Sequence, residues 1–317
     1  MQLLDLPEIG KSTSVVGFGC GALGARLTSD ESLRLLRAAA DGGIRHIDVA
    51  RSYGYGYAEA VVGRLIHGQR DNFFVVSKAG VLPPSQSGVR RFGVAAARRA
   101  VRIAPSLRRR VSRRATASIR PALDAPALAR SLENTLTALR TDHLDLLLLH
   151  ECSAADVTDD VVTWLEGVVA QGKAAAWGVA TTAQYTADVL ATRSPFAINV
   201  PSSSSSPNTA VLEVPGPRMR VVHSALGADL RLVGGYLDRP GARAQWEERL
   251  GEELSPQALP TLLLRAARGR VPGGVVLAST QRLEHVAAIT TAGSAAPDPA
   301  LATKVEALVN EAARLYR

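Results

Sequence analysis

The feature that most constrains the fold is a regular alternation of short apolar segments with longer segments of helical pattern. The segment LDLLLL at residues 144–149 is almost entirely apolar, which is typical of a parallel strand buried on both faces. Eight such strands are predicted, over residues 14–18, 45–48, 73–77, 144–150, 174–180, 196–200, 220–224 and 274–278. Helical segments separate most of them, and a last helix is predicted over residues 299–316.

Two α/β architectures accommodate eight β-α units, a closed barrel and an open, doubly wound sheet. The chain has no Gly-x-Gly-x-x-Gly turn followed by an acid about 20 residues later, so the closed barrel is favoured. A length of 317 residues suits one elaborated barrel. We therefore predict a (β/α)8 TIM barrel as a single domain over residues 1–317, with an N-terminal hairpin around Gly10 that plugs one end.

A long insertion interrupts the pattern at residues 81–126, after the third strand. Eleven arginines and no acid lie between Gly88 and Ala122, whereas the rest of the chain has 26 basic and 29 acidic side chains. Residues 95–103 have helical composition, and Pro105 would end that helix. Three interpretations stay open: a solvated helical face, a lid for an anionic or carrier-bound substrate, and a nucleic-acid patch. The last is disfavoured, because Phe92 is the one aromatic available to stack on a base.

Composition narrows the class of protein. Apolar residues make up 46% and charged residues 21% of the chain, which is ordinary for a globular protein with a sizeable core. No run of about 18 apolar residues appears, and the first residues carry acids where a secretory signal would be basic and then apolar. We expect a cytoplasmic protein with no membrane partner. Cys20 and Cys152 show no paired spacing, so we predict free thiols and no metal site.

Four polar residues follow consecutive predicted strands, at the end where barrel enzymes build their active sites. Asp48 and Tyr53 follow the second strand, Lys78 the third and His150 the fourth. A carboxylate keeps a nearby lysine charged, and that charge lowers the cost of ionising a phenol. Such a tyrosine can donate a proton to an alkoxide forming on a carbonyl oxygen, which the histidine can also hydrogen-bond.

Three of these residues also have a simpler interpretation when taken alone. Asp48 can be a loop cap, Lys78 a solvated charge, and His150 a histidine of the core. Their succession at neighbouring strand ends of one barrel favours a catalytic site.

The sequence resembles the aldo-keto reductases over nearly its whole length. The segments GFGCGALG, GIRHIDVARSYGYGYAEAVVGRLI, FFVVSKAG and SLENTLTALRTDHLDLLLLH resemble successive signature segments of that family, in the same order. The phrases YGYGYAE and VSKAG are most similar to its aldose and sugar dehydrogenase-like branch. The resemblance implies that Asp48, Tyr53, Lys78 and His150 form the catalytic tetrad, with Tyr53 as general acid and bound NADPH as hydride donor.

The resemblance also implies cofactor positions, and there the sequence departs from the family pattern. The implied cofactor-binding residues are Thr181, Asn199, Ser224, Leu226, Ser279 and Arg282. Thr181 replaces an asparagine, Asn199 replaces a longer glutamine, and Gln281 stands at a usual arginine. Arg282 is either a ligand of the adenosine 2'-phosphate or the start of a surface helix. NADP(H) is the implied cofactor, with NADH as an alternative.

The predicted function is NADP(H)-dependent reduction of an aldehyde or ketone, or oxidation of the corresponding alcohol. Neither the particular small-molecule substrate nor the oligomeric state is predicted. Two alternatives stay open. One is a barrel that senses nucleotides or binds a partner without turnover, and the other is a cofactor-independent isomerase or lyase that reuses Tyr53 and Lys78.

Overall fold

The computed structural model of the chain describes residues 1–23, 27–82 and 123–315. The strands in these ranges are β1 Leu3–Leu6, β2 Lys11–Ser14, β3 Val16–Gly19, β4 His46–Asp48, β5 Phe74–Ala79, β6 Leu144–His150, β7 Ala174–Ala180, β8 Ala197–Pro201, β9 Met219–His223 and β10 Val275–Ala278. Strands β3 to β10 form a closed, parallel barrel in the order β10-β3-β4-β5-β6-β7-β8-β9. The predicted (β/α)8 architecture is therefore confirmed. Most of the predicted insertion, including its eleven arginines and the lid helix at residues 95–103, lies outside the described residues.

Helices follow the barrel strands on the outside. In the described ranges they are α1 Ser29–Asp41, α2 Tyr57–Ile66, α3 Ala125–Leu139, α4 Asp159–Ala170, α5 Ala183–Leu190, α6 Thr209–Leu212, α7 Asp229–Leu237, α8 Ala242–Leu250, α9 Leu259–Arg270, α10 Val286–Ser294 and α11 Pro299–Leu315. Helix α1 shows how locally these bounds are set. Thr28 and Glu31 form the reciprocal capping box at its start, and Gly42 follows its last residue.

The parallel register places the ends of β4, β5 and β6 side by side. Asp48 pairs with Val76 of β5, Lys78 pairs with Leu148 of β6, and His150 pairs with Ala180 of β7. The first six residues of β6 are buried, in agreement with an apolar run that faces helices on one side and the barrel interior on the other. The strand sequence therefore both builds the core and carries polar groups to one rim.

The N-terminal hairpin closes the opposite end of the barrel. Strands β1 and β2 pair antiparallel on either side of Gly10, which has a φ of 61°. Leu6 is 2% exposed and packs in the apolar cluster inside the barrel with Phe74, the first residue of β5. Since the hairpin covers the rim at the strand starts, access from solvent is left to the rim where the strands end.

Periodicity does not predict the two helices α7 and α8, which lie between β9 and α9. Helix α7 contains the pair Gly234-Gly235, which disfavours a helix, and α8 buries Ala242, Trp246 and Leu250 on an otherwise polar helix. Both helices pack against α9 and α11 in a separate apolar cluster, so tertiary contacts outweigh their weak local signal.

Across the described ranges, the helices are all too short or too polar to cross a lipid bilayer. Cys20 and Cys152 are both buried, and they are not joined by a disulfide.

Candidate active site

A cavity of about 570 Å³ opens at the C-terminal ends of the barrel strands. All four predicted catalytic residues line it. Asp48 and His150 are the last residues of β4 and β6, Lys78 is the fifth residue of β5, and Tyr53 begins the 3-10 turn Tyr53–Gly56 that follows β4. The structure thus brings together the four side chains that the sequence places at successive strand ends.

Lys78 is the centre of the hydrogen-bond network. Its Nζ donates to Oδ1 of Asp48, to the phenolic oxygen of Tyr53 at 3.3 Å and to the carbonyl oxygen of Val49 at 3.5 Å. The lysine and the aspartate are only 4% and 3% exposed. A buried ammonium of this kind has to be held by acceptors, because an unpaired charge in the interior is very costly.

Burial and the neighbouring charges together set the protonation states of Lys78 and Tyr53. Burial works to lower the pKa of Lys78, but the Asp48 carboxylate and Tyr53 outweigh it, and the lysine pKa is raised. Burial raises the pKa of Tyr53, and the Lys78 ammonium opposes that shift without reversing it. The lysine does ease ionisation of the phenol, as the sequence suggests, but burial prevails. At neutral pH the site therefore holds a protonated phenol beside a cation.

His150 completes the group as a neutral imidazole. Its ring meets the Tyr53 ring edge-on, with 6.1 Å between the centroids. Burial, followed by the charges of Lys78 and His223, lowers its pKa to about 3. Its Nδ1 atom is buried and has no hydrogen-bond partner among the described residues. A neutral imidazole carries one N–H donor, which is what hydrogen bonding to a carbonyl oxygen requires.

A buried carboxylate behind the site fixes the turn that carries Tyr53. Glu59 of α2 is fully buried and accepts hydrogen bonds from Arg51 at 2.8 Å, Ser77 at 3.2 Å and Thr135 at 2.7 Å. Arg51 precedes the turn and Glu59 follows it, so their ion pair clamps both ends. The turn that carries Tyr53 is thereby tied to β5 through Ser77 and to α3 through Thr135.

Four of the six predicted cofactor residues line the same cavity: Thr181, Asn199, Ser224 and Ser279. The other two, Leu226 and Arg282, are not among its lining residues. The Arg282 side chain is 69% exposed and lies 3.9 Å from Glu284. Gln281, at the family's usual arginine, donates instead to the carbonyl oxygen of Ala22 at 2.7 Å.

Besides Nδ1 of His150, two polar atoms of the cavity wall are buried with no hydrogen-bond partner among the described residues. They are Oγ1 of Thr181, just after β7, and Oδ1 of Asn199, on β8. Buried polar atoms are normally hydrogen-bonded, so an unpartnered pair in one cavity wall indicates a ligand with complementary groups. One acceptor oxygen and one hydroxyl match the N–H and C=O of a primary carboxamide.

His223 is a residue of the cavity wall that sequence reasoning missed. It ends β9, lines the cavity and shares a hydrogen bond of 2.9 Å between its Nδ1 and Oγ of Ser224. Burial lowers its pKa, and the charge of Lys78 adds to that effect while Asp48 opposes it. Its position at the end of a predicted strand could have identified it, because the same criterion identified Asp48 and His150.

Comparison with known proteins agrees with this geometry. The sequence model of the Aldo/keto reductase family matches residues 15–206, more than half of the chain. Methylglyoxal reductase YeaE of Escherichia coli (strain K12) is 29% identical over 176 residues, which are 56% of this chain and 46% of that protein. The match therefore spans about half the length of this relative.

Solved structures show the same fold. The aldo-keto reductase AKR11C1 from Bacillus halodurans, in its holo form, has a TM-score of 0.70 at 18% identity, with 97% of this chain and 96% of that chain covered. An aldo-keto reductase from Klebsiella pneumoniae in complex with NADPH has a TM-score of 0.67 at 21% identity, with 97% and 95% covered. The barrel, the residues on its rim and the family match lead to one conclusion: the chain belongs to the aldo/keto reductase family.

Proposed function

We propose that the protein is an NADP(H)-dependent oxidoreductase that interconverts a carbonyl compound and its alcohol at the cavity lined by Asp48, Tyr53, Lys78 and His150. The observation that carries the proposal is the hydrogen-bonded array of Asp48, Lys78 and Tyr53 at the rim of the barrel. It provides a protonated phenol whose conjugate base would be stabilised by an adjacent buried cation.

In this proposal each residue has one task during carbonyl reduction. NADPH, when bound, supplies the hydride. Tyr53 donates its phenolic proton to the developing alkoxide, and the Lys78 ammonium offsets the charge left on the phenolate. Asp48 keeps the lysine charged. Neutral His150 donates its N–H to the same substrate oxygen and orients it.

The cavity wall fits the nicotinamide end of such a cofactor. Oδ1 of Asn199 would accept from the carboxamide N–H, and the Thr181 hydroxyl would donate to its C=O, which would give both orphaned atoms a partner. The NADPH complex of the Klebsiella pneumoniae protein supports the same cofactor class. Ser224 and Ser279 would bind along the rest of the cofactor from the ends of β9 and β10.

The substrate we propose is a small aldehyde or ketone. The name of the Escherichia coli relative, a methylglyoxal reductase, supports a short dicarbonyl as the first compound to assay. The arginines between residues 88 and 122 suggest an anionic substrate. This is tested by comparing the turnover of pairs of aldehydes that differ only in the presence of a carboxylate.

The test is NADPH oxidation by the purified protein with a panel of aldehydes and ketones, alongside a fluorescence titration of NADPH binding and a parallel series with NADH. The proposal predicts saturable NADPH binding and multiple turnovers with at least one carbonyl. NADPH binding with a single slow turnover would favour the nucleotide-sensing alternative. Substrate conversion without added nucleotide would favour the isomerase or lyase, and absence of NADPH binding would refute the proposal.

A further inference from the structure

Asn199 is more than a candidate cofactor ligand, because its amide reaches a catalytic carboxylate on the far side of the barrel. We propose that Asn199 is a positioning residue that fixes the Asp48 carboxylate in the orientation that binds Lys78. The inference rests on the proposed oxidoreductase function for its catalytic consequence. It concerns the same site and adds Asn199 as a residue that acts on the reaction through Asp48.

A side-chain hydrogen bond, which we call the brace, joins Asn199 to Asp48 across the barrel. Strands β4 and β8 are four places apart in a closed barrel of eight strands, so they face each other across the interior. Asn199 lies in the middle of β8, is 1% exposed, and donates from Nδ2 to Oδ2 of Asp48 at 3.2 Å. This hydrogen bond joins residues 151 positions apart in sequence. It ties the cofactor wall of the cavity to the catalytic wall.

The two oxygens of Asp48 have different donors. Oδ1 accepts from Lys78 Nζ, and within the described ranges the donor to Oδ2 is Asn199. The terminal torsion of an aspartate is soft, so a carboxylate held at one oxygen can rotate whereas one held at both cannot. Asn199 therefore determines how firmly Oδ1 is presented to the lysine.

The orientation of the amide follows from the same contacts. With its amide reversed, Asn199 would place Oδ1 against the Asp48 carboxylate, and two acceptors would face each other. The observed orientation avoids that repulsion and turns Oδ1 toward the cavity, where it has no protein partner in the part of the chain that the structure describes. One side chain thus braces Asp48 with its donor and offers an acceptor to the ligand.

The consequence for catalysis runs through Lys78. Its Nζ donates to both Asp48 and Tyr53, the latter at 3.3 Å. Because the Asp48 carboxylate holds the ammonium in place, a carboxylate that rotates away lets the ammonium move away from the phenol. Loss of the brace should therefore lower kcat at saturating cofactor about 10- to 100-fold, the usual effect of a small misplacement in a catalytic group. The KM for the carbonyl substrate should change little, since Asn199 is not proposed to bind it.

The decisive readout is the exchange of the Lys78 ammonium protons with water, measured by NMR at neutral pH without cofactor or substrate. The sequence has four lysines, so labelling with 15N-lysine gives a simple spectrum, and the Lys78 signal is identified by its loss in Lys78→Met. Asn199→Leu, an apolar substitution of similar size, should speed the exchange about tenfold, as expected when one charge-assisted hydrogen bond is lost.

Thr181→Val is the matched control, because it also removes an orphaned polar atom from the cavity wall but has no bond to Asp48. The ammonium exchange should be the same in this variant as in the unmodified protein. Asn199→Ala, which removes the donor without adding apolar bulk, replaces Asn199→Leu if the latter does not fold. Unchanged exchange in the folded Asn199 variant, or equally fast exchange in Thr181→Val, would overturn the inference. Since no turnover is needed, failure of the oxidoreductase proposal would be seen separately, as absence of NADPH oxidation by the unmodified protein.

Discussion

Replacement of Lys78 by methionine should destabilise the barrel as well as abolish turnover. Methionine has nearly the length of the lysine stem, so the change removes the charge and leaves little cavity. Asp48 is 3% exposed and would lose the donor to its Oδ1 while it keeps Asn199 at Oδ2. Breaking a buried ion pair costs about 3–5 kcal/mol, and the remaining donor places this variant near the lower end of that range.

The assay is denaturation by urea at fixed pH, followed by the fluorescence of the three tryptophans. Lys78→Met should lower the free energy of unfolding by about 3 kcal/mol with little change in the m-value. The matched control is the double variant Asp48→Asn/Lys78→Met, in which neither position carries an unpaired buried charge and most of the stability should return. A double variant as unstable as the single one would show that the unpaired Asp48 charge is not the cause of the lost stability.

Three further outcomes follow from the described contacts. His46 is fully buried and its pKa is lowered from 6.5 to about 3, chiefly by burial. The unfolded chain therefore binds the extra proton as the pH falls below 6.5, and His46→Gln should reduce the loss of unfolding free energy between pH 7 and pH 5 by about 2 kcal/mol. At Gly178 an added Cβ would lie 2.3 Å from the Ala197 carbonyl oxygen, so Gly178→Ala should cost about 3 kcal/mol or more in urea denaturation. Gly167→Ala on α4 meets no atom within 4 Å and should be neutral or slightly stabilising, and equal effects of the two would refute this reasoning. Thr181→Val should raise the Kd for NADPH about tenfold in a fluorescence titration, and an unchanged Kd would remove Thr181 from the cofactor site.

The positions of Asp48, Lys78 and His150 on the cavity wall were predictable because these three residues lie at or near strand ends. Residue order along β4, β5 and β6 fixes which side chains reach the rim, and the apolar run of β6 makes its end at His150 easy to locate. Neighbouring parallel strands then bring those ends together whatever the loops do.

The brace between Asn199 and Asp48 was not predictable in this way. It needs the diameter of the closed barrel and the reach of one amide across it, and no local pattern contains either quantity. The direction of the Tyr53 pKa shift was not predictable either. The sequence indicates that a lysine lies nearby, but burial decides the direction of the shift. Helix α7, with its pair of glycines, is held by packing that only the assembled fold provides.

The proposed function depends most on Tyr53 as the proton donor of an NADPH-dependent carbonyl reduction. Single-turnover transfer of hydride from NADPH, compared between the unmodified protein and Tyr53→Phe at matched fold and matched NADPH binding, tests it most directly. If Tyr53 is the proton donor, the variant should have an unchanged Kd for NADPH and a rate of hydride transfer lower by about 10²- to 10⁴-fold. Hydride transfer at the unmodified rate by Tyr53→Phe would contradict it.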